Sequence, residues 1–345
     1  VVLLKFTFPS ISEVHYGENS THNLGDILRK VNAKRVLVIS NHSVHGLRFY
    51  GAVLSEIDIP YEEFYEITQH TPMEELEHAT EMYRNKKCDS IITVGGGSVI
   101  DAGKAMRYFY DMNIPQIAIP TTLSAAEFSP SAGYTIASEK NNVRDPRLVP
   151  AAVILDPLAV METPQRLWRS TGMRAIDHAV ETAILNHRNQ LAVDFSLKAL
   201  SMLLLNLDGD TKETRHQCQI GAWYSYFDIS DSALGLSHHI GRIIGARYEI
   251  PHGITTCITL PEVLLYYGRK KYPGLSRVSS HLGFVTEDPE EASVYLSNLI
   301  RYKIHSLGLS SRLSDYGISE SDLEYILSKL DGERSEMRKL LLSMV

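Results

Sequence analysis

The chain has 345 residues, 44% hydrophobic and 22% charged, with a formal net charge of -7. That length supports a sizeable core and two domains, while the acidic balance and the lack of any Lys/Arg-rich run exclude a nucleic-acid-binding surface. Cys88, Cys218 and Cys257 stand alone, without CxxC spacing, which excludes a disulfide framework or a zinc knot. The opening "VVLLKFTFPSISEV" has four apolar residues before Lys5, too few for a signal-peptide core. No later run approaches the roughly 20 apolar residues of a membrane span, so no membrane partner and a cytoplasmic location are expected.

Short β-branched runs alternate with helical patterns from about Ala33 to Asp156. "RVLVIS" (35–40) is followed by a helix-like stretch to Ile57, "YEEFYEI" (61–67) and the helical "MEELEHATEMYRNK" (73–86). Next come "SIITV" (90–94), a helix over about Ser98 to Tyr110, "QIAIP" (116–120) and "AAVILDP" (151–157). This rhythm predicts a parallel sheet covered on both faces. Beyond Pro157 the β-rich runs stop, and "AVDFSLKALSMLLLNL" (192–207) and "PEEASVYLSNLIRYKIHSLGL" (289–309) read as helices. The boundary falls near Asp156 to Pro164, giving an α/β domain of residues 1–157 and an all-helical domain of residues 158–345, with a cleft expected where they meet.

The stretch "IITVGGGSVIDAGKAM" (91–106) ends a buried strand on three glycines and opens a helix. Glycine lets backbone N–H groups approach an anion without a Cβ in the way, and the helix N-terminus adds its positive dipole end. Ser98 occupies an N-cap position with Asp101 three residues on, near a capping-box spacing. The pattern points to a phosphate or pyrophosphate, although GxGxxG is absent and the turn alone does not separate a dinucleotide from a sugar phosphate.

Four motifs in order, "GGGSVIDAGK" (95–104), "IPTT" (119–122), "GMRAIDHAVE" (172–181) and "IPHG" (250–253), resemble the iron-containing, or group III, alcohol dehydrogenase superfamily over nearly the whole chain. The resemblance implies the dehydroquinate synthase-like fold: an N-terminal α/β domain with a parallel sheet that binds NAD or NADP, and an all-α C-terminal domain. It places the pyrophosphate on Gly95, Gly96, Gly97 and Ser98, with Asp101 in the same turn, and sets Thr121 and Thr122 along the cofactor. It implies a homodimer. Asn41, after "RVLVIS", stands where many relatives have an Asp that binds the adenosine ribose; a neutral side chain removes a charge that would repel a 2′-phosphate, so NAD and NADP both stay open.

Metal-dependent relatives hold their ion with an Asp and a His one helical turn apart and two further His residues. The matching positions here are Arg174, His178, His238 and His252, and Arg242 stands at the second histidine of the family's HxxxH motif. Positions i and i+4 share a helix face. Arginine stays protonated and is no metal ligand. Asp177 points roughly 100° away from His178 on a helix and is a poor substitute. Were an ion present, His178, His238 and His252 would hold it, but two fixed cations beside three imidazoles suit a carboxylate better than Fe²⁺ or Zn²⁺.

This pattern resembles the maleylacetate reductase branch, as does "IPTTLSAAEFSPSAGYT" (119–135). The expectation is therefore a metal-independent NAD(P)H-dependent reductase of a small, carboxylated substrate. His178, His238 and His252 would orient it or relay a proton, while Arg174 and Arg242 clamp the carboxylate and stabilise developing negative charge. Arg174 as a structural partner of Asp177 or Glu181 is the bland alternative, and His42, His45, His187 and His216 are taken as structural. A metal-dependent alcohol dehydrogenase and a phosphate-eliminating lyase of the dehydroquinate synthase type are the competing functions.

Overall fold

The computed structural model describes residues 11–137, 139–186, 189–227 and 235–345. Its contacts divide the chain into two compact units, one of Phe6–Pro164 with Gly209–Ile220, the other comprising Gln165–Asp208 and Gly221–Val345. His187 and the opening apolar run lie outside the described residues.

The first unit is built on a six-stranded sheet. Its strands are β1 (Glu13–Tyr16), β2 (Val36–Ile39), β3 (Tyr61–Phe64), β4 (Ser90–Gly95), β5 (Gln116–Pro120) and β8 (Ala152–Leu155), in the order β1-β8-β5-β4-β2-β3. All its pairings are parallel. β2, β4, β5 and β8 are buried at every residue, which is why they read as continuous apolar runs rather than alternating ones. Helices Met73–Asn85 and Gly97–Phe109 join the sheet in a core that includes Leu76, Ala79, Ile91, Val99 and Met106. An antiparallel hairpin, β6 (Ser131–Ile136) and β7 (Glu139–Arg144), precedes β8.

The strand order puts a switch point between β2 and β4: after β2 the chain goes outward to β3, then returns to β2's other side. Ligands of open parallel sheets bind outside the carboxyl ends of the strands at such a point. There the Ser40 hydroxyl donates to the Val94 carbonyl at 2.8 Å, and Thr121 N–H donates to Gly95 O at 3.0 Å, drawing the ends of β2, β4 and β5 together.

The segment 209–220 joins this unit through several side chains, a buried cation foremost, with the Gln219 amide donating to Asp156 O at 3.2 Å and Lys212 pairing with Glu18. Arg215, on the helix Lys212–Ser225, donates to the carbonyls of Val160 and Thr163 and pairs with Asp210. The periodicity of the sequence carried no sign of this return, which the expected boundary places in the helical domain.

Among its described residues the second unit is helical, with Gln165–Leu185, Gln190–Asn206, Leu236–Arg247, His252–Arg269 and Pro289–Ser306 as its long members. Ile176, Val180, Ile244, Leu260, Val263 and Ile300 are buried in it. No helix among the described residues is long and apolar enough to cross a membrane.

Candidate active site

The helix after the glycine turn is capped two residues earlier than expected, at Gly96 rather than Ser98. Gly96 is the N-cap of the 97–109 helix, in an extended conformation (φ -78°, ψ -172°), and no side chain caps it. Ser98 is thus inside the helix, where its hydroxyl accepts the His70 N–H at 3.1 Å. Asp101 is turned away as well, its carboxylate accepting the Gly133 N–H of the hairpin at 3.0 Å. The expected capping box does not form, since the helix starts too early for Ser98 to serve as its cap.

Space rather than unusual φ explains the three glycines. A Cβ at Gly95 would lie 2.7 Å from a Val99 methyl, one at Gly96 would meet the Thr122 methyl at 3.2 Å, and one at Gly97 the Ser124 hydroxyl at 3.2 Å. The turn and the loop after β5 thus face each other across a gap that side chains on the glycines would fill. The Thr122 hydroxyl is buried there without a hydrogen-bond partner, an expensive arrangement unless a ligand supplies one. An uncapped helix N-terminus, bare backbone and an unpartnered hydroxyl fit a pyrophosphate. Asn41 lies at the end of β2 and caps a short helix, its Oδ1 accepting Val44 N–H at 2.9 Å. That oxygen is engaged in the cap, and the side chain also carries two amide hydrogens.

In the helical unit, the 165–185 helix presents Arg174 and His178 one turn apart. The imidazoles of His178 and His238 are buried at 3% and 6% exposure, with ring centroids 5.3 Å apart, and Tyr226 packs edge-on against His178 at 4.9 Å. Both nitrogens of His178 and Nδ1 of His238 lack partners. Burial, then the charge of Arg174, holds the pKa of each well below the ordinary histidine range; on His238 the charges of His178, His252 and Arg242 act too. The other four residues singled out in this domain therefore sit within electrostatic reach of His238. The neighbouring His239 is exposed, its Nε2 3.3 Å from the Lys329 carbonyl oxygen, so His238 is the buried imidazole beside His178.

Two close helix contacts set this geometry. A Cβ at Gly253, next to His252, would fall 2.1 Å from the Ser170 carbonyl oxygen, so only glycine lets the 252–269 helix come this near the 165–185 helix. Gly235 leaves room for Glu181, whose carboxylate accepts the N–H groups of Ser237 (2.9 Å) and His238 (3.3 Å) and the Tyr267 hydroxyl (2.9 Å). Burial raises the pKa of both Glu181 and Asp177 above the usual carboxylate range, and the Asp177 charge adds to the shift on Glu181. Asp177 is turned inward, with Thr256 Oγ1 3.5 Å from its Oδ2, away from the His178 ring as the helical angle demands.

Neutral imidazoles are good metal ligands, whereas Arg174, one turn before His178, carries a permanent positive charge and is none. Among the described residues no three His, Cys, Asp or Glu side chains are arranged to hold a metal.

The discounted histidines pack on aromatic rings: His45 stacks on Tyr65 at 4.0 Å, His42 meets Tyr65 edge-on at 5.2 Å, and His216 lies parallel to Tyr16 at 6.3 Å. Sequence reasoning passed over Glu181 as a helix cap and Lys104 as a buried cation. Lys104 lies seven positions, two turns, after Gly97 among buried neighbours, and that position was the available signal.

Residues 11–157 match the family described as iron-containing alcohol dehydrogenase, and residues 169–330 match the C-terminal domain of the same family. Maleylacetate reductase 2 of Cupriavidus pinatubonensis (strain JMP 134 / LMG 1197) is 28% identical over 84% of this chain and 80% of its own. The NADPH-dependent butanol dehydrogenase of Clostridium saccharobutylicum is 25% identical over 93% and 89%. Among solved structures, maleylacetate reductase from Rhizobium sp. strain MTP-10005 superposes with a TM-score of 0.86 at 23% identity, covering 99% of this chain and 97% of that one. A 1,3-propanediol oxidoreductase gives 0.91 at 20% identity over all of both chains. The glycine turn at the sheet's switch point and the histidine-bearing helices thus belong to a known plan: this chain is an oxidoreductase of the iron-containing alcohol dehydrogenase family, near its maleylacetate reductase branch.

Proposed function

We propose that the protein is an NAD(P)H-dependent reductase that acts, without a metal, on the carbonyl or conjugated double bond of a small carboxylated substrate. The observation that carries this is the charge of Arg174 acting on two buried, neutral imidazoles, His178 and His238. When bound, the dinucleotide supplies hydride. Gly96, Gly97 and Thr122 hold its pyrophosphate, and Asn41, with its oxygen engaged in a cap, offers amide hydrogens that tolerate a 2′-phosphate.

Arg174 and Arg242 receive the substrate carboxylate, and their fixed charge offsets the negative charge that grows on oxygen as hydride arrives. His178 and His238, being neutral, orient the substrate through ring N–H groups. An arriving carboxylate opposes the charge of Arg174 and raises their affinity for a proton, so the imidazoles become acidic partners only when substrate is present.

A second reading has its own observation. Two adjacent imidazoles with unpartnered nitrogens are also what a metal-dependent alcohol dehydrogenase would present. Oxidation of NADH and NADPH across keto acids, unsaturated keto diacids and simple aldehydes separates the two. Turnover confined to carboxylated substrates is expected; preference for uncharged aldehydes would replace the first reading by the second.

A further inference from the structure

Lys104 lies on the same helix as the glycine turn, two turns below Gly97, and its side chain is fully buried. Its ammonium donates to three backbone carbonyls, those of Ala126, Ser129 (2.8 Å) and Ser131 (3.1 Å), with Asp101 Oδ1 3.8 Å away. An ammonium has three donors, and here three main-chain oxygens of one short segment take them.

That segment continues the loop of Thr121, Thr122 and Ser124, which forms the wall facing the glycines. It also contains Ala125 in the left-handed region (φ 56°), a conformation a non-glycine residue keeps only when its surroundings impose it. The adjoining carbonyl, of Ala126, is one that Lys104 holds. A buried cation is costly, and a methionine of similar length would fill the space without that cost but would take one donor from each of three carbonyls, of which Ala126 O keeps the Ser129 N–H at 3.1 Å.

We propose that Lys104 is a positioning residue for dinucleotide binding: by tying the 126–131 segment to the helix that carries Gly97, it sets the width of the gap between the glycine turn and Thr122. One rigid helix then supplies both one wall and the anchor of the other. The inference rests on the glycine turn holding a dinucleotide, as proposed above.

The test is calorimetric titration of NADH and NADPH into the wild-type protein, Lys104→Met and Lys104→Gln, with melting curves for each. Steady-state kinetics would use any substrate the wild type turns over. Lys104→Met is expected to weaken dinucleotide binding by about tenfold or more. It should raise the cofactor KM while kcat at saturating cofactor stays within about twofold, because Lys104 touches no reacting atom. Lys104→Gln keeps two N–H donors and should fall between; it also answers the question if the methionine variant does not fold. Wild-type affinity in both variants, or equal losses in kcat and affinity, would overturn the role of Lys104. Absence of binding in the wild type would overturn the pyrophosphate cradle itself, and this role with it.

Discussion

Arg174 puts a permanent charge one helical turn before His178, and much of the site's chemistry follows from that substitution. Replacing it by methionine removes a charge-assisted contact worth ~1.5–3 kcal/mol, so kcat/KM for a carboxylated substrate should fall roughly tenfold to a hundredfold. The same change removes one cause of the depressed His238 pKa and leaves burial, the larger one, so an NMR titration of the imidazole should show a partial rise. An unchanged kcat/KM would show that the guanidinium does not meet the substrate. Gly96 offers a second single-residue test. Its φ of -78° is open to any residue, so Gly96→Val should fold. Its side chain, however, enters the space beside Thr122, and dinucleotide affinity measured by calorimetry should drop by about tenfold or more; retained affinity would contradict the cradle. The motif residues were legible in the sequence because backbone approach and charge depend on residue type. The roles of Ser98 and Asp101 were not, because the helix begins before Ser98 and His70 and Gly133, distant in sequence, take their side chains.

Among the elements, strands buried on both faces and helices with a clear period stand out in the sequence. β4 and β5 come within a residue of the runs 90–94 and 116–120. β1 and the β6–β7 hairpin were missed for a physical reason. "EVHY" is a four-residue edge strand, and "EKNNVR" is polar and largely exposed, so neither shows the apolar alternation that marks a half-buried strand. The loop before the hairpin holds Glu127, whose pKa burial raises from 4.5 to about 7, Lys104 opposing the shift. A raised carboxyl pKa means that the folded chain keeps a proton the unfolded chain has released. Its contribution is complete below about 4.5 and lost as pH rises through about 7. Glu127→Gln cannot titrate, so urea denaturation should show its stability relative to wild type improving by roughly 1–3 kcal/mol between about pH 5 and 7.5. A difference independent of pH would show that the carboxyl is already ionised. In the 212–225 helix, Arg215→Met removes the guanidinium that donates to the carbonyls of Val160 and Thr163 and pairs with Asp210. The expected loss is ~2–4 kcal/mol, read from the same denaturation curves, and a loss under ~0.5 kcal/mol would show that the helix is held by other contacts.

For the whole molecule, a parallel sheet followed by helices was readable because the period of apolar residues changes near Asp156. The return of residues 209–220 to the first unit was not, since it depends on individual side chains, the buried Arg215 foremost, rather than on a pattern. The first unit carries the proposed phosphate cradle at the sheet's switch point, and the second a cationic, imidazole-lined cluster on its helices. In the proposed reaction protein charge stands in for a metal. A divalent ion and Arg174 at ~4 Å would repel by several kcal/mol at an effective dielectric near 20. The direct measurement is metal content of the purified protein together with activity on a carboxylated substrate before and after exhaustive chelation. Substoichiometric iron and zinc, activity unchanged by chelator, and metal uptake appearing in Arg174→Asp are expected. Stoichiometric metal in the wild type, with activity lost on chelation and restored by that ion, would contradict a metal-free reaction.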